Sequence, residues 1–203
     1  MNPRKPGSVA FSAGLELQDL DVRTRRVMVA ELDGDLAGLG LLHFDPRLSE
    51  RGRAEWRPLL RMALLDHDAA WLASQLERNA RLVHSEGRTG PGGRVILARV
   101  PVNAAVTVAE GEFNRYYVRA VCVRTLAERG SEVVEVYRAK RVAVPRPASA
   151  QLVGRLLDAR TILEEIRWVA SDSVPRCGVP GGPNSGLSVR FPGRWRGRVR
   201  PRG

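Results

Sequence analysis

Thr107-Val108-Ala109-Glu110-Gly111-Glu112-Phe113-Asn114-Arg115-Tyr116-Tyr117-Val118-Arg119-Ala120-Val121-Cys122-Val123-Arg124-Thr125-Leu126-Ala127-Glu128-Arg129-Gly130 is the stretch on which the fold turns. Thr107 followed three residues later by Glu110 matches a capping box, in which each side chain satisfies the other residue's backbone N–H. A helix is therefore expected from about Val108 to Glu128, with Gly130 as its stop. Phe113, Tyr116, Tyr117, Ala120, Val121, Val123 and Leu126 cover more than one face of that helix. A helix apolar over most of its surface is normally buried, so this one is expected at the centre of the fold.

The flanking segments read outward from it. Before it, Leu82–Glu86 and Arg94–Val100 are β-prone runs joined by Thr89-Gly90-Pro91-Gly92-Gly93, which is hairpin chemistry. The glycine turn is too short for a phosphate loop and lacks its Lys-Ser/Thr ending. Earlier still, Asp21 caps a helix reaching toward Leu42, although Gly34, Gly38 and Gly40 weaken its far end. Residues 49–81 read as a helical hairpin, with Pro58 in a first turn and Asp68 as the second cap. After the central helix, Glu132–Val144 is β-prone, Ser149 caps a helix through Leu157, and Asp158 caps another through Val169.

From Ser171 onward, prolines and glycines interleave and the periodicity dissolves. Such a stretch builds no core of its own. Within it, only Leu187-Ser188-Val189-Arg190-Phe191 has the pattern of a short docking strand. The expected organisation is a flexible lead at 1–10 and one α+β domain over 11–170. That domain has a helical part at 11–81 and a hairpin-helix-strand-helix part at 82–170. A disordered basic tail follows at 171–203. The fold class is α+β: a small antiparallel or mixed sheet packed with helices around a central buried helix.

Composition narrows the function classes. The chain of 203 residues carries a formal net charge of +11, which favours anionic partners, nucleic acid foremost. All its basic residues but Lys5 and Lys140 are arginine. GC-rich coding explains arginine over lysine, but not base over acid. Arg190, Arg194, Arg196, Arg198, Arg200 and Arg202 crowd the last fourteen residues, where no acid occurs. Two cysteines without metal or redox spacing fit a reducing, cytoplasmic setting. No apolar run is long enough for a membrane span and none marks a signal peptide.

Two segments carry a resemblance. Glu112-Phe113-Asn114-Arg115-Tyr116-Tyr117-Val118-Arg119, with Val136-Tyr137-Arg138-Ala139-Lys140 behind it, is one; Gly178-Val179-Pro180-Gly181-Gly182-Pro183-Asn184-Ser185-Gly186-Leu187-Ser188-Val189-Arg190 is the other. Together they resemble an uncharacterised family of bacterial proteins linked with high-GC genomes and mobile elements. The likeness spans about residues 55–190. It implies no activity, ligand or fold, and the tail after Phe191 is not part of it.

Several constellations carry chemistry. Arg190, Arg194, Trp195, Arg196, Arg198, Arg200 and Arg202 combine phosphate-pairing cations with an indole that can stack on a base. Six such contacts imply a log-log salt slope on the order of −5 on duplex DNA. The alternative is a solvated extension without a partner. Arg115 and Arg119 share a helix stripe with Glu112, and Arg138 and Lys140 share a strand face, so the four could form an anion site. The alternatives are a solvent strip on the helix and a charged, protected edge strand. Glu135 and Lys140 are five apart, which puts them on opposite strand faces and argues against a metal-dependent nuclease. His67 between Asp66 and Asp68 lacks ligand spacing, because adjacent helical residues point apart. Cys122 reads as a small core residue. No catalytic triad, metal site or cofactor site is expected.

The leading expectation is a basic nucleic-acid-binding protein, DNA or RNA, without catalysis and without a membrane association. A structural or assembly protein of a phage or mobile element is the second, with a homo-oligomer compatible with either. An enzyme working on an anionic substrate is the third.

Overall fold

The computed structural model describes residues 14–128, 130–169, 174–180 and 185–193. Those residues make an α+β fold of six helices and two small antiparallel sheets.

Side-chain caps set the starts of four of the six helices among the described residues. α1 (Val22–Leu36) begins where Asp21 Oδ1 accepts the Thr24 N–H at 2.8 Å. It ends at Ala37, short of Leu42, because Gly38 takes a positive φ of 82° and turns the chain out of the helix. α2 (Glu50–Asp66) is capped by Ser49 and α3 (Ala69–Leu76) by Asp68. Pro58 lies well inside α2 rather than in a first turn. Its ring is exposed there, so the helix hydrogen bond it removes is on the wet side.

α4 (Ala104–Glu128) is 25 residues long and starts before the expected cap. Thr107 is inside its first turn, where its hydroxyl donates to Asn103 O at 3.0 Å. Glu110 does not reach back to cap either; its carboxylate holds Lys140 Nζ at 2.5 Å. Phe113, Tyr116, Tyr117, Val118, Ala120 and Val121 are all buried. They pack against α1, α3, α6, β3 and β5. Burying side chains on every side of one helix is what lets a chain with few aromatics close a single core.

The three-stranded sheet runs in the order β4-β3-β5, with β3 (Val133–Arg138) in the middle. β4 (Leu156–Asp158) pairs antiparallel with its first half, and β5 (Leu187–Arg190) with its second half. Sequence patterning placed helix over residues 149–157. Instead α5 (Pro147–Leu152) starts two residues earlier, with Pro147 in its first turn, and Leu156–Asp158 is strand. The Ser149 hydroxyl donates to Arg146 O at 2.9 Å, a turn contact inside the helix rather than a cap. α6 (Ala159–Trp168) follows directly, capped by Asp158, whose Oδ1 accepts the Thr161 N–H. A second sheet consists only of β1 (Ser85–Thr89) and β2 (Val95–Arg99), joined by a single 3-10 turn at Pro91–Gly93.

The boundary at residue 170 requires correction. Residues 187–190 are paired along β3, and Phe191 is 0 % exposed. The Phe191 N–H donates to Asp19 Oδ2 at 2.8 Å, and its ring lies 5.2 Å under the Arg124 guanidinium. The folded unit therefore reaches Gly193. The segment lacks a core of its own and borrows one from β3 and α4.

Buried charges join α1 to α4 and α6. Arg119, 1 % exposed, donates to Asp35 through both terminal nitrogens at 2.6 and 2.7 Å, and through Nε to Glu31 at 2.9 Å. The Tyr116 hydroxyl completes Asp35 at 2.8 Å, and Arg167 holds the other side of Glu31. Every charge in the cluster is matched, as a low-dielectric interior demands.

Two glycines in helices separate close approach from mere tolerance. A Cβ at Gly52 would meet Arg81 O at 2.1 Å, whereas one at Gly111 would meet nothing within 4 Å. Gly111→Ala is expected to raise stability by about 1 kcal/mol through helix propensity alone. Gly52→Ala is expected to lower it by about 1–3 kcal/mol, because backbone must shift to admit the methyl. Urea unfolding of the two variants beside the parent measures both signs.

The ion pairs also set a pH dependence. Arg81 and then Arg51 hold the Glu55 carboxyl below its ordinary value, and Arg47 and then Arg88 do the same for Glu86. The Thr161 hydroxyl and N–H lower Asp158, and the Cys177 N–H lowers Glu165. Partial burial opposes the shift at Asp21, but the Thr24 N–H and Arg124 outweigh it. Groups depressed in the folded state contribute stability above their unfolded values and lose it as pH falls through the folded ones. The thermal midpoint is thus expected to be level near neutrality and to fall below about pH 4, the ordinary carboxylate range. A calorimetric series across that window measures it; a midpoint that rises on acidification contradicts the assignment.

Candidate functional site

The residues expected to bind nucleic acid divide at Gly193. Arg190 is the last residue of β5, opposite Glu135 on β3. Its Nη2 contacts Glu135 Oε1 at 2.5 Å, its Nη1 contacts Gln18 Oε1 at 3.0 Å, and its guanidinium lies 5.6 Å over the Tyr137 ring. The hydrogen bond it donates to Glu135 raises the Arg190 pKa further, so this cation is fixed into the fold and is not a mobile phosphate contact. Arg194, Trp195, Arg196, Arg198, Arg200 and Arg202 lie outside the described residues.

Arg115, Arg119, Arg138 and Lys140 do not form one anion site. Arg115 and Arg119 turn toward α1 and α6: Arg115 donates to Val169 O at the end of α6, and Arg119 is enclosed by Glu31 and Asp35. At the far end of β3, Arg138 donates to Ser185 O at 2.6 Å and Lys140 pairs with Glu110. Glu110 and Arg119 are nine residues apart on α4, about 13 Å along its axis. Each cation already has a protein acceptor, and the two pairs point to different places. Alternation on a strand showed that Arg138 and Lys140 share a face, but it could not show that Glu110 waits on the facing helix.

Other singled-out groups take structural places. Glu135 holds Arg190 while Lys140 holds Glu110, so the strand carries no acid-lysine pair on one ligand. His67 stacks on Trp71 with centroids 4.2 Å apart and planes 7° from parallel. No group of three or more His, Cys, Asp or Glu side chains with metal-holding geometry occurs among the described residues. Cys122 is fully buried, and burial pushes its thiol well above the ordinary range. Burial likewise pushes Cys177 up to about 11. Neither thiol is activated as a nucleophile.

A cavity of about 240 Å³ opens between α3, the start of α4 and the segment around Leu17. Leu15, Leu17, Leu20 and Phe113 line it, with Asp68, Glu77 and Glu110 as its charged groups. Carboxylates on an apolar floor give it the wrong sign for an anionic substrate.

The uncommitted positive charge is on the surface. Arg94, Arg99, Arg141, Arg146, Arg155 and Arg160 are exposed and stand in no ion pair among the described residues. Arg94 precedes β2 and Arg99 is its last residue, in a segment that sequence reading treated only as half of a hairpin. The signal that could have found them is the run Arg94-Val95-Ile96-Leu97-Ala98-Arg99, which is apolar at successive positions and so cannot have only one covered face. Among the described residues, no helix is long and apolar enough to cross a membrane. No protein-family model matches the chain, and neither a curated protein nor a solved structure is found to be similar to it.

Proposed function

We propose that the chain is a basic nucleic-acid-binding protein without catalytic activity, with its strongest phosphate contacts in residues 194–203. One observation carries this reading. Five arginines and Trp195 follow, without any acid, with three residues between them and the end of a strand that is fixed into the sheet. Phe191 and Arg190 tether that run to a rigid body, so cations that engage a polyanion anchor the whole fold to it. Exposed arginines without ion pairs on the body add attraction of the same sign.

Replacing Arg194, Arg196, Arg198, Arg200 and Arg202 together by alanine leaves β5 and Phe191 intact. The log-log salt slope of duplex DNA binding is expected to become shallower by about 4–5 units. Fluorescence anisotropy over a salt series measures it. Equal slopes for parent and variant would remove residues 194–203 from the interface.

An assembly role for a phage or mobile-element particle is the second reading, favoured by the uncovered apolar residues on β2. A defined oligomer on sizing chromatography that survives nuclease treatment distinguishes it from the first. An enzyme on an anionic substrate has no support from the geometry, since its four cations are engaged separately.

A further inference from the structure

β1 and β2 make a sheet of their own, and neither has another strand partner among the described residues. A lone two-stranded ribbon is marginal in water unless something covers it. Its register sorts the side chains. Glu86, Arg88, Ile96 and Ala98 share one face; Gly87, Thr89, Val95 and Leu97 share the other, with Ser85 and Arg99 at its root. The first face is tied to the body, where Glu86 accepts from Arg47 at 2.7 Å and from Arg88 at 2.7 Å. The second face is open, with Val95 78 % and Leu97 81 % exposed.

Charge on the ribbon is one-sided. Its one carboxylate, Glu86, is taken by two arginines, while Arg94 and Arg99 have no ion pair among the described residues. Arg99 shares the open face with Val95 and Leu97, while Arg94, one residue before β2, alternates onto the other face, so the two cations stand at opposite ends of the ribbon, five residues or about 17 Å apart along an extended strand.

We infer that this ribbon enters the major groove of duplex DNA, with Val95 and Leu97 against base edges and Arg94 and Arg99 on flanking phosphates. The inference rests on the nucleic-acid reading but names a second contact, separate from residues 194–203. A net-positive ribbon selects an anionic partner over a cationic one. The major groove of B-form DNA, about 12 Å wide, admits a two-stranded ribbon. The major groove of duplex RNA is too deep and narrow for it. The methyl groups of Val95 and Leu97 have a matching apolar contact in the thymine methyl. Gly87 and Thr89, opposite Leu97 and Val95, keep the neighbouring strand low on that face.

The test uses the full chain, the variant Arg94→Ala/Arg99→Ala and the variant Val95→Ser/Leu97→Ser, each checked by circular dichroism. Binding is measured to a short DNA duplex and to an RNA duplex of the same sequence across a salt series. Arg94→Ala/Arg99→Ala is expected to make the DNA salt slope shallower by about two units and to weaken binding on the order of tenfold at moderate salt. Val95→Ser/Leu97→Ser is expected to weaken DNA binding with the slope unchanged, and RNA binding is expected to respond to neither variant. If the parent binds DNA and the arginine variant keeps its slope, the ribbon contact is wrong while the nucleic-acid reading stands. If the parent binds neither duplex, that reading fails and this inference with it. Equal losses on RNA overturn the choice of DNA. A self-associated parent that becomes monomeric in Val95→Ser/Leu97→Ser, with DNA binding unaltered, identifies the ribbon as a surface for a second copy and also overturns the proposal.

Discussion

Phe191→Ala is expected to lower the unfolding free energy by about 3–5 kcal/mol, the range for truncating a fully buried aromatic. Two terms add. The ring is 0 % exposed in the core and packs under Arg124, whose guanidinium also reaches Asp21 and Thr24 on the first turn of α1. Removing the ring opens a cavity where β5, α4 and the segment before α1 meet, and these cannot all close in at once because the Phe191 N–H is bonded to Asp19. Denaturant unfolding gives the magnitude. The opposite expectation is just as definite: if Phe191 belonged to an unstructured basic tail, the same variant would change stability by less than about 0.5 kcal/mol. A loss that small contradicts the placement of β5.

Arg119→Ala is the second large effect, also about 3–5 kcal/mol, through charge rather than volume. The substitution leaves Asp35 with the Tyr116 hydroxyl alone and Glu31 with Arg167. Asp35 has no water to turn to, since its side chain is 0 % exposed. A buried carboxylate without its counter-ion is costlier than the pair was favourable, because both charges were already taken from water. This reasoning separates two variants. Arg119→Met with Asp35→Leu removes both ends of the bidentate pair and is expected to recover much of the loss, since apolar replacements of buried pairs are often neutral or better. Recovery below one quarter of the single-variant loss would show that shape, not unmatched charge, dominates the site. Gly40 supports the same cluster: a Cβ there would fall 2.1 Å from Asp35 Oδ1, so any side chain displaces the carboxylate that Arg119 grips.

Local chemistry made much of the helical framework legible. Asp21, Asp68 and Asp158 each cap a helix through their own oxygen, and the contact closes within three residues, so no distant partner is needed to read it; Ser49 caps α2 in the same way, but Pro58 draws the expected start of that helix further along the chain. Thr107 and Glu110 show the limit of the same rule. Their spacing fits a capping box, yet Lys140, thirty residues on, offers Glu110 an ion pair, and the helix starts earlier. Periodicity marked α4 as apolar on most sides, but it did not reveal that Glu112, Arg115, Arg119 and Arg124 are also buried in it. Glu112, Arg115 and Arg119 read as one stripe, either an anion site or a solvent strip, because the groups that hold Arg115 and Arg119 come from α1, the end of α6 and the loop after α1.

By itself the sequence determined the α+β class, the helix starts set by local caps, the turn chemistry at Gly90–Gly93 and the placement of excess positive charge toward the end of the chain. Each follows from interactions within a few residues or from composition, neither of which needs the tertiary fold. Tertiary structure alone decided which arginines are committed. Arg115, Arg119, Arg138 and Arg190 are bound to internal oxygens, while Arg94 and Arg99 remain exposed. It also decided that Leu187–Phe191 belongs to the core, because a four-residue strand gains its stability from the strand beside it and the helix beneath it, both distant in sequence.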